Sequence, residues 1–355
     1  MSAYRKAFKK GMGSMIDIPE RHIGKTDAAV TELGFGCAGL GDLFDILSEE
    51  QAQLTLKAAW DAGIRYFDTA PYYGYGKSEH RLGHFLRQQQ RNEFVVSTKV
   101  GRVLKPTRNH ETFDSGFWRG GLPFEYVFDY SYDGIMRSYE DSLQRLSLSS
   151  VDLLLIHDLD FGNFPTEALL NAHLYELATS GWRALEELRS SGAAKAVGAG
   201  INISGMIPRL LDLLDLDMFL VAIPYTLLDQ GVLEEEFPRC AEGEVGIVIG
   251  AVFASGILAT GPVQDARYAY APASEEILEK TRRIAEACKR HNTPLGAAAM
   301  QFPLAHPLVA SIIPGALEPQ HVEKNVELFQ HDISSALWVE LKEEGLIRED
   351  APAPE

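Results

Sequence analysis

The sequence predicts a single α/β domain built as a (β/α)8 TIM barrel, and three observations support this prediction. The chain has 355 residues, a length that one barrel of this kind can fill. Apolar runs typical of buried strands alternate with segments of helical periodicity, which favours a parallel sheet covered by helices. Eight such strands can be counted, and over this length that number favours a closed barrel over an open sheet.

The predicted elements run in order along one domain, residues 1–355. Residues 1–14, which are basic in part, are predicted to form an N-terminal arm, and residues 17–24 and 29–34 to pair as a β-hairpin. The barrel strands are predicted at residues 33–37, 64–67, 94–99, 151–157, 196–199, 219–222, 245–250 and 309–313. The helical pattern is clearest at residues 132–146, 181–189, 274–290 and 319–328.

Two stretches between predicted strands, residues 101–131 and 158–180, are longer than ordinary loops and rich in aromatic side chains. A barrel places substrate recognition in the loops at the carboxyl ends of its strands. Phe117 and Trp118 are therefore candidate substrate contacts; the alternative is that such aromatics only pack the loops down or form a subunit contact. Residues 334–355 are predicted to be a C-terminal tail with a solvated acidic end.

Composition excludes several classes of protein. The formal net charge of −17 argues against nucleic acid or an anionic membrane as a partner. No apolar run reaches the length of a membrane span, and the basic N-terminus lacks the apolar core of a secretory signal. The cysteines, Cys37, Cys240 and Cys288, have no paired spacing, so neither a disulfide framework nor a metal site is predicted, and a reducing cytoplasm fits best.

Residues 34–39 (GFGCAG) fit the G-x-G-x-x-G fingerprint of dinucleotide-binding folds. That fingerprint requires its third glycine to open a helix, whereas here a helix is predicted to begin only after Ser48. A glycine-rich loop at the mouth of the barrel is therefore favoured over a Rossmann loop.

The most specific stretch begins at the end of the second predicted strand. A predicted amphipathic helix follows it over residues 78–86, with Ser78 as the N-cap. Four short motifs mark the stretch: Asp68-Thr69-Ala70, Tyr73-Gly74, Ser78-Glu79 and Leu82-Gly83. In type and spacing they resemble the aldo-keto reductase family, and the resemblance extends over about residues 21–328. It implies a barrel whose bottom is capped by the N-terminal hairpin.

The resemblance also implies a catalytic tetrad of Asp68, Tyr73, Lys99 and His157. Three of these residues stand at the ends of predicted strands, and Tyr73 lies just past the second strand, where a barrel has its active site. Taken singly, a lysine or histidine at a strand end is equally well explained as a solvated or satisfied polar residue. The tyrosines at positions 72 and 75 are set aside only by the register of the motif.

The chemistry of hydride transfer explains why these residue types belong together. The oxygen on the reacting carbon must gain or lose a proton, and a free tyrosine, with a pKa near ~10, is a poor base at neutral pH. The ammonium of Lys99 would favour the phenolate of Tyr73, and Asp68 would keep that ammonium charged in a buried site. His157 can donate a hydrogen bond to the substrate oxygen.

The resemblance implies a nicotinamide dinucleotide bound without a Rossmann fold. Loops after the seventh and eighth strands, residues 253–258 and 313–319, are candidates for holding its phosphates, because the first presents backbone amides and the second leads into a helix N-terminus. Asn202 is a candidate for the carboxamide contact, although residues 200–202 depart from the family's Ser-Asn. The full set of candidate cofactor residues is Asn202, Tyr225, Phe253, Ser255, Gly256, Leu258, Gly315, His321 and Asn325.

NAD is the predicted cofactor, and NADP is less favoured. NADP-using members of the family carry Lys-Ser and then Arg where this chain has Gly315, Ala316 and His321. The two cations and the hydroxyl that would bind a 2′-phosphate are therefore missing.

Residues 225–230 and 255–258 are similar to a branch of aldose 1-dehydrogenases that also includes a pyridoxal 4-dehydrogenase. Both substrates are cyclic hemiacetals that become lactones. The leading expectation is NAD-dependent oxidation of an aldose, such as L-fucose or another D-threo-aldose, with Tyr73 as general base. Pyridoxal oxidation to 4-pyridoxolactone and general aldehyde or ketone reduction are alternatives.

Two further classes stay open on the sequence: a Schiff-base aldolase acting through Lys99, and a non-catalytic subunit that senses nucleotides. The expected partner is a small sugar or hemiacetal. The sequence fits a monomer and a homo-oligomer equally.

Overall fold

The computed structural model describes residues 16–110, 112–269 and 271–354, and the predicted arm, residues 1–14, lies outside them. The β-strands are β1 (Glu20–His22), β2 (Ala29–Thr31), β3 (Phe35–Gly36), β4 (Tyr66–Asp68), β5 (Val95–Val100), β6 (Arg102–Pro106), β7 (Phe124–Phe128), β8 (Leu153–His157), β9 (Ala196–Ile201), β10 (Met218–Ala222), β11 (Gly246–Gly250), β12 (Arg267–Tyr268), β13 (Ala271–Pro272) and β14 (Val309–Ile313). The α-helices are α1 (Glu49–Asp61), α2 (Lys77–Leu86), α3 (Tyr132–Leu146), α4 (Glu167–Glu176), α5 (Trp182–Ser190), α6 (Met206–Leu211), α7 (Glu236–Glu242), α8 (Ile257–Thr260), α9 (Glu275–Arg290), α10 (Leu295–Leu304), α11 (Pro319–Phe329) and α12 (Ser335–Glu343).

Eight strands form one parallel sheet in the order β3-β4-β5-β8-β9-β10-β11-β14. Successive strands along the chain are neighbours in the sheet, as in a barrel. The two edges meet through parallel bridges that join Leu33 to Ile312 and Gly36 to Gly315. The amide of Gly34 also donates to the carbonyl of Ile312 at 2.8 Å. The predicted TIM barrel is therefore confirmed.

An antiparallel hairpin of β1 and β2 closes one end of the barrel, as predicted. Its buried Ile23 belongs to the same apolar cluster as Leu153 and Met218, the first residues of β8 and β10. Gly24 makes the turn at φ +49°, where a side chain would come within 2.3 Å of the carbonyl oxygen of Glu244. The hairpin therefore covers the amino ends of the strands and leaves the carboxyl ends open.

The glycine-rich residues 34–39 do not open a long helix, which agrees with the predicted loop. Cys37–Gly41 form a short 3-10 helix, and α1 begins only after its N-cap, Ser48. A side chain at Gly41 would come within 2.6 Å of the carbonyl carbon of Tyr73. The loop therefore packs closely on the turn that carries the predicted catalytic tyrosine.

The prediction that Ser78 caps a helix is wrong. Helix α2 begins at Lys77, and Gly76, with φ +95°, precedes it. Ser78 is buried in the first turn, where its hydroxyl donates to the carbonyl of Cys37 at 2.7 Å and contacts Oγ1 of Thr69 at 2.9 Å. Its role is to tie together the segments that follow β3 and β4.

The long stretch of residues 101–131 contains an antiparallel hairpin, β6 and β7, where the sequence pattern predicts only a loop. The segment between these strands crosses the mouth of the barrel. The amide of Phe44 donates to the carbonyl of Phe117 at 2.8 Å, and Trp118 forms an antiparallel bridge with Leu43. The second long stretch, residues 158–180, holds α4.

The prediction of a solvated C-terminal end is also wrong. Leu341, Leu346 and Ile347 are buried, and the Trp338 ring centre lies 6.3 Å from that of Phe302 in α10. Within α12 the buried side chains are Leu337, Trp338 and Leu341, which share one face of the helix, while Leu346 and Ile347 pack beyond its end.

Candidate active site

The four predicted catalytic residues meet at the carboxyl end of the barrel. β4 ends at Asp68, β8 ends at His157, and Lys99 is the last residue but one of β5. β5 pairs in parallel with both β4 and β8, which brings these strand ends together. Asp68, Lys99 and His157 are each at most 3% exposed. Tyr73 lies in the turn between β4 and α2.

The ammonium of Lys99 joins the carboxylate to the phenol. It donates to the two oxygens of Asp68 at 2.9 and 2.8 Å and to the phenol oxygen of Tyr73 at 3.1 Å. It also donates to the carbonyl of Thr69 at 2.9 Å, while Ser97 donates its hydroxyl to Oδ1 of Asp68 at 2.7 Å. The cation is thus fixed where its charge stabilises a phenolate.

His157 faces the same phenol, with its ring centre 5.8 Å from that of Tyr73. Burial, reinforced by the nearby cations Arg102 and Lys99, holds the pKa of His157 well below its usual value. The imidazole is therefore neutral and can donate through one nitrogen. Its Nε2 lies 3.3 Å from Oδ2 of Asp158, and its buried Nδ1 has no hydrogen-bond partner among the described residues.

An aromatic wall, formed by Tyr72, Phe117, Trp118 and Tyr126, stands beside Tyr73. The Trp118 ring centre lies 5.5 Å from those of Tyr73 and Tyr72. Phe117 packs on Trp118 at 5.3 Å and is 45% exposed, whereas Trp118 is 3% exposed. Trp118 therefore lies beside the predicted catalytic residue Tyr73, and Phe117 packs on the far side of Trp118 and Tyr72.

Two charged residues of the site, Arg102 and Asp158, are absent from the sequence-based prediction. Arg102 donates to Oδ2 of Asp158 at 3.0 Å, and its guanidinium carbon lies 4.2 Å from the centre of the Tyr72 ring. Asn202 donates its side-chain amide to Oδ1 of Asp158 at 2.8 Å. The position of Asp158 directly after His157 is the one sequence signal that points to it.

The loop after β11, a predicted phosphate-binding loop, turns through three successive residues with positive φ. Ala254, Ser255 and Gly256 have φ values of +46°, +63° and +103°, and oriented amides in such turns form sites for anions. A side chain at Gly256 would meet no atom within 4 Å, so the space above it is open. The amide of Ala254 donates to the carbonyl of Ala251 at 2.7 Å, and the amides of Gly256 and Leu258 donate to that of Phe253 at 2.9 and 3.1 Å, so these three amides are used within the loop.

The loop after β14 leads into α11, whose first residue is Pro319. Asn325 is 8% exposed and donates its side-chain amide to the carbonyl of Gly315 at 3.3 Å. Glu318 precedes the helix, and its Oε1 lies 3.3 Å from Nε2 of His321. Asn325 and the helix N-terminus beside it are the groups of this loop that would hold a nicotinamide dinucleotide.

Two predicted cofactor contacts do not reach the site through their side chains. Tyr225 is fully buried, and its ring centre lies 5.0 Å from that of Phe237 and 5.4 Å from that of Phe302. The Leu258 side chain is also fully buried in the core. Both side chains are apolar in most of their surface and pack in the core, which explains why they are buried. Leu258 still belongs to a candidate cofactor loop through its backbone.

Within residues 16–354, apart from positions 111 and 270, no cluster of three or more His, Cys, Asp or Glu side chains is arranged to hold a metal. No helix in that part of the chain is both long and apolar enough to cross a membrane. The three cysteines are buried free thiols.

Comparison with known proteins agrees with this geometry. The Aldo/keto reductase family profile matches residues 32–344. The chain is 43% identical to pyridoxal 4-dehydrogenase from Microbacterium luteolum over 344 residues, covering 92% of this chain and 98% of that protein. It is also 43% identical to D-threo-aldose 1-dehydrogenase from a Pseudomonas species over 326 residues, covering 90% and 95%.

Solved structures show the same architecture. The holo form of the aldo-keto reductase AKR11C1 from Bacillus halodurans superposes with a TM-score of 0.72 at 25% identity, covering 96% of this chain and 99% of that one. The barrel, the four residues at its carboxyl end and the sequence similarity lead to one conclusion: this chain belongs to the aldo/keto reductase family and is an oxidoreductase.

Proposed function

We propose that the protein oxidises a cyclic hemiacetal, an aldose such as L-fucose or another D-threo-aldose, to the corresponding lactone with NAD⁺. The observation that carries this proposal is the contact of Lys99 with both Asp68 and the phenol oxygen of Tyr73. The similarity to a D-threo-aldose 1-dehydrogenase supports an aldose as the substrate.

The residues of the site divide the proton chemistry among them. When bound, the nicotinamide supplies the hydride acceptor. Tyr73 takes the proton of the hemiacetal hydroxyl, because the Lys99 ammonium at 3.1 Å stabilises the phenolate. Asp68 fixes that ammonium, and its own charge offsets the cost of burying it. The neutral His157 donates to the substrate oxygen and orients it.

NAD is preferred in this proposal because no lysine or arginine stands at the three positions that bind a 2′-phosphate in NADP-using relatives. His321 is the one residue there that can carry a positive charge, and it already faces Glu318 at 3.3 Å. A 2′-phosphate near Glu318 would meet a like charge, whereas ribose hydroxyls can donate to it.

Pyridoxal is the second candidate substrate, and the aromatic wall favours it. Rings such as Tyr72 and Trp118, which lie 5.5 Å apart at a T-shaped angle, can pack against a pyridine. The similarity to a pyridoxal 4-dehydrogenase also supports it. An aldolase reaction through Lys99 is disfavoured, because its ammonium donates to acceptors on Asp68, Thr69 and Tyr73 and is not a free amine.

A substrate panel tests the proposal. Aldoses, pyridoxal and simple aldehydes or alcohols are offered with NAD⁺ and with NADP⁺, and reduced cofactor is followed by absorbance. We expect the highest kcat/KM with an aldose and NAD⁺, and a fall of about 100-fold or more in Tyr73→Phe. Tyr72→Phe is the matched control, because it removes a neighbouring phenol and keeps the ring. Turnover of pyridoxal alone would select the second candidate, and full activity of Tyr73→Phe would refute the mechanism.

A further inference from the structure

We propose that Asp158 accepts a hydrogen bond from the substrate hydroxyl on the carbon next to the hemiacetal carbon, and so selects polyhydroxylated substrates. This inference rests on the proposed function of the same site. It assigns a substrate contact to a residue that lies outside the predicted tetrad. It also separates the two candidate substrates, because an aldose carries this hydroxyl on its ring.

The position of Asp158 at the site is fixed by the fold. It directly follows the last residue of β8, and its φ of +46° is unusual for a residue with a side chain. Its Oδ2 accepts from Arg102 at 3.0 Å and lies 3.3 Å from Nε2 of His157. Its Oδ1 accepts from Asn202 at 2.8 Å. Three elements, β6, β8 and the segment after β9, therefore hold one carboxyl beside the catalytic imidazole.

This carboxyl has capacity left for one more donor. An ionised carboxylate offers about four lone-pair sites, and Arg102 and Asn202 each fill one. Nε2 of the neutral His157 lies 3.3 Å from Oδ2 and takes up the space beside that oxygen, with its single N–H left for the substrate. The open site is on Oδ1, which has a single donor. The Asp158 side chain is 17% exposed, whereas those of Arg102 and His157 are 3% and 4% exposed. The accessible part of the cluster is therefore the carboxylate, at the barrel end where Tyr73 stands.

Unused polar atoms mark the same cluster. Nε of Arg102 and Nδ1 of His157 are buried and have no hydrogen-bond partner within the described part of the chain. Buried polar atoms are almost always paired in folded proteins, so such exceptions call for an explanation. A ligand rich in oxygen atoms, which both donate and accept, suits a cluster with this surplus better than an apolar ligand does.

The charge of the carboxyl supports its role as an acceptor. Burial, opposed by Arg102 and aided by Asp160, raises the pKa of Asp158 to about 6. The other ionisable groups that face it are Lys99 on β5, His157 on its own strand and the buried Tyr130. Asp158 is therefore ionised at neutral pH and becomes a neutral acid below about pH 6.

A pair of substrates tests the inference on a single enzyme. The best aldose from the panel is compared with its 2-deoxy counterpart, which lacks only the hydroxyl in question. We expect the wild type to lose about 10- to 100-fold in kcat/KM on the deoxy sugar, the effect of a hydrogen bond to a charged group. We expect Asp158→Asn to lose a similar factor on the aldose and less than about threefold on the deoxy sugar.

The ratio of kcat/KM for the aldose to kcat/KM for the deoxy sugar does not depend on how much of the enzyme is folded, because both values come from the same preparation. Asp160→Asn is the matched control, because it makes the same change at a buried carboxylate two residues after Asp158. The Asp160 carboxylate accepts from the backbone amide of Gly162 at 3.0 Å, a bond within its own loop. It should keep the wild-type ratio. A pH profile adds a second readout: discrimination between the sugars should fall below about pH 6 in the wild type and be independent of pH in Asp158→Asn.

Two results overturn the inference while leaving the proposed function intact. One is a wild type that oxidises both sugars equally well. The other is an Asp158→Asn enzyme that loses the same factor on both sugars, which would make the residue purely structural. A wild type that oxidises no cyclic hemiacetal would instead refute the proposed function and this inference together.

Discussion

Replacing Lys99 with Met removes the charge on which the proposed proton transfer depends. Met is similar in length and apolar, so packing changes little. At the observed separation of 3.1 Å, a unit charge stabilises a phenolate by about 5 kcal/mol at an effective dielectric constant of about 20. The nearby Asp68 offsets part of this, and we expect about half to remain. At about 1.4 kcal/mol per factor of ten, kcat should fall about 100-fold.

The structure also predicts how this variant will behave as a folded protein. Lys99→Met leaves the 1% exposed carboxylate of Asp68 without its cation, and an unpaired buried charge costs about 3 to 5 kcal/mol. The double variant Asp68→Asn, Lys99→Met removes both charges. It should be as inactive as the single variant but more stable in urea, which separates the loss of chemistry from the loss of folding.

The assay is the initial rate of NADH formation at saturating substrate, measured from neutral to alkaline pH. Without its cation the phenol should need a more alkaline solution to act as a base, so activity in Lys99→Met should rise towards higher pH. A variant with wild-type kcat at neutral pH would show that the ammonium is not needed. An unchanged pH profile together with a reduced rate would assign Lys99 a structural role only.

Three further predictions concern the cofactor, a buried carboxylate and the C-terminal segment. Cofactor preference, measured by fluorescence titration and kcat/KM, should move towards NADP in the triple variant Gly315→Lys, Ala316→Ser, His321→Arg; unchanged preference would refute the NAD argument. Burial raises the pKa of the Asp42 carboxyl, but hydrogen bonds from Lys77 and Arg81 outweigh burial, so the pKa is lowered overall. Such a carboxylate adds stability that is complete above its unfolded pKa of about 4 and is lost as the pH falls through the folded value. Urea midpoints should therefore fall below about pH 4 less steeply in Asp42→Asn than in the wild type, and equal slopes would contradict this. Trp338→Ala should cost about 3 to 5 kcal/mol in urea unfolding, whereas a cost near zero would mean that the tail is solvated after all.

The sequence predicts the fold and the site best where a local pattern of residue types has a single physical explanation. Strand-like runs of fully buried residues give the barrel, because a parallel sheet covered on both faces is apolar along its whole length. The resemblance of residues 68–83, Lys99 and His157 to the aldo-keto reductase motifs implies the tetrad, and the pairing of β5 with β4 and β8 brings these strand ends together. Both predictions depend on local pattern and simple topology.

The missed features depend on contacts between distant segments. Arg102 and Asp158 are 56 residues apart in the chain, and they meet because they stand two positions beyond Val100 and Ile156 respectively, which pair where β5 and β8 run side by side. Tyr225 is expected at the cofactor because its motif follows a strand, but its ring turns towards Phe237 in the core. Side-chain direction at a strand end is set by tertiary packing, which a single sequence does not reveal.

The N-terminal hairpin is bonded to the last part of the barrel, beside the place where the first and last barrel strands meet, and this has a consequence for biosynthesis. Arg21 donates to the carbonyls of Leu304 and Val309, across 283 and 288 positions of the chain, and Ser311 donates to the carbonyl of Thr31 across 280. During translation the barrel cannot close until nearly the whole chain has been synthesised, because its last strand lies close to the C-terminal end of the sequence. Contacts between such distant positions slow folding, so the interval before closure is when exposed strand edges leave this enzyme most open to aggregation and to capture by chaperones.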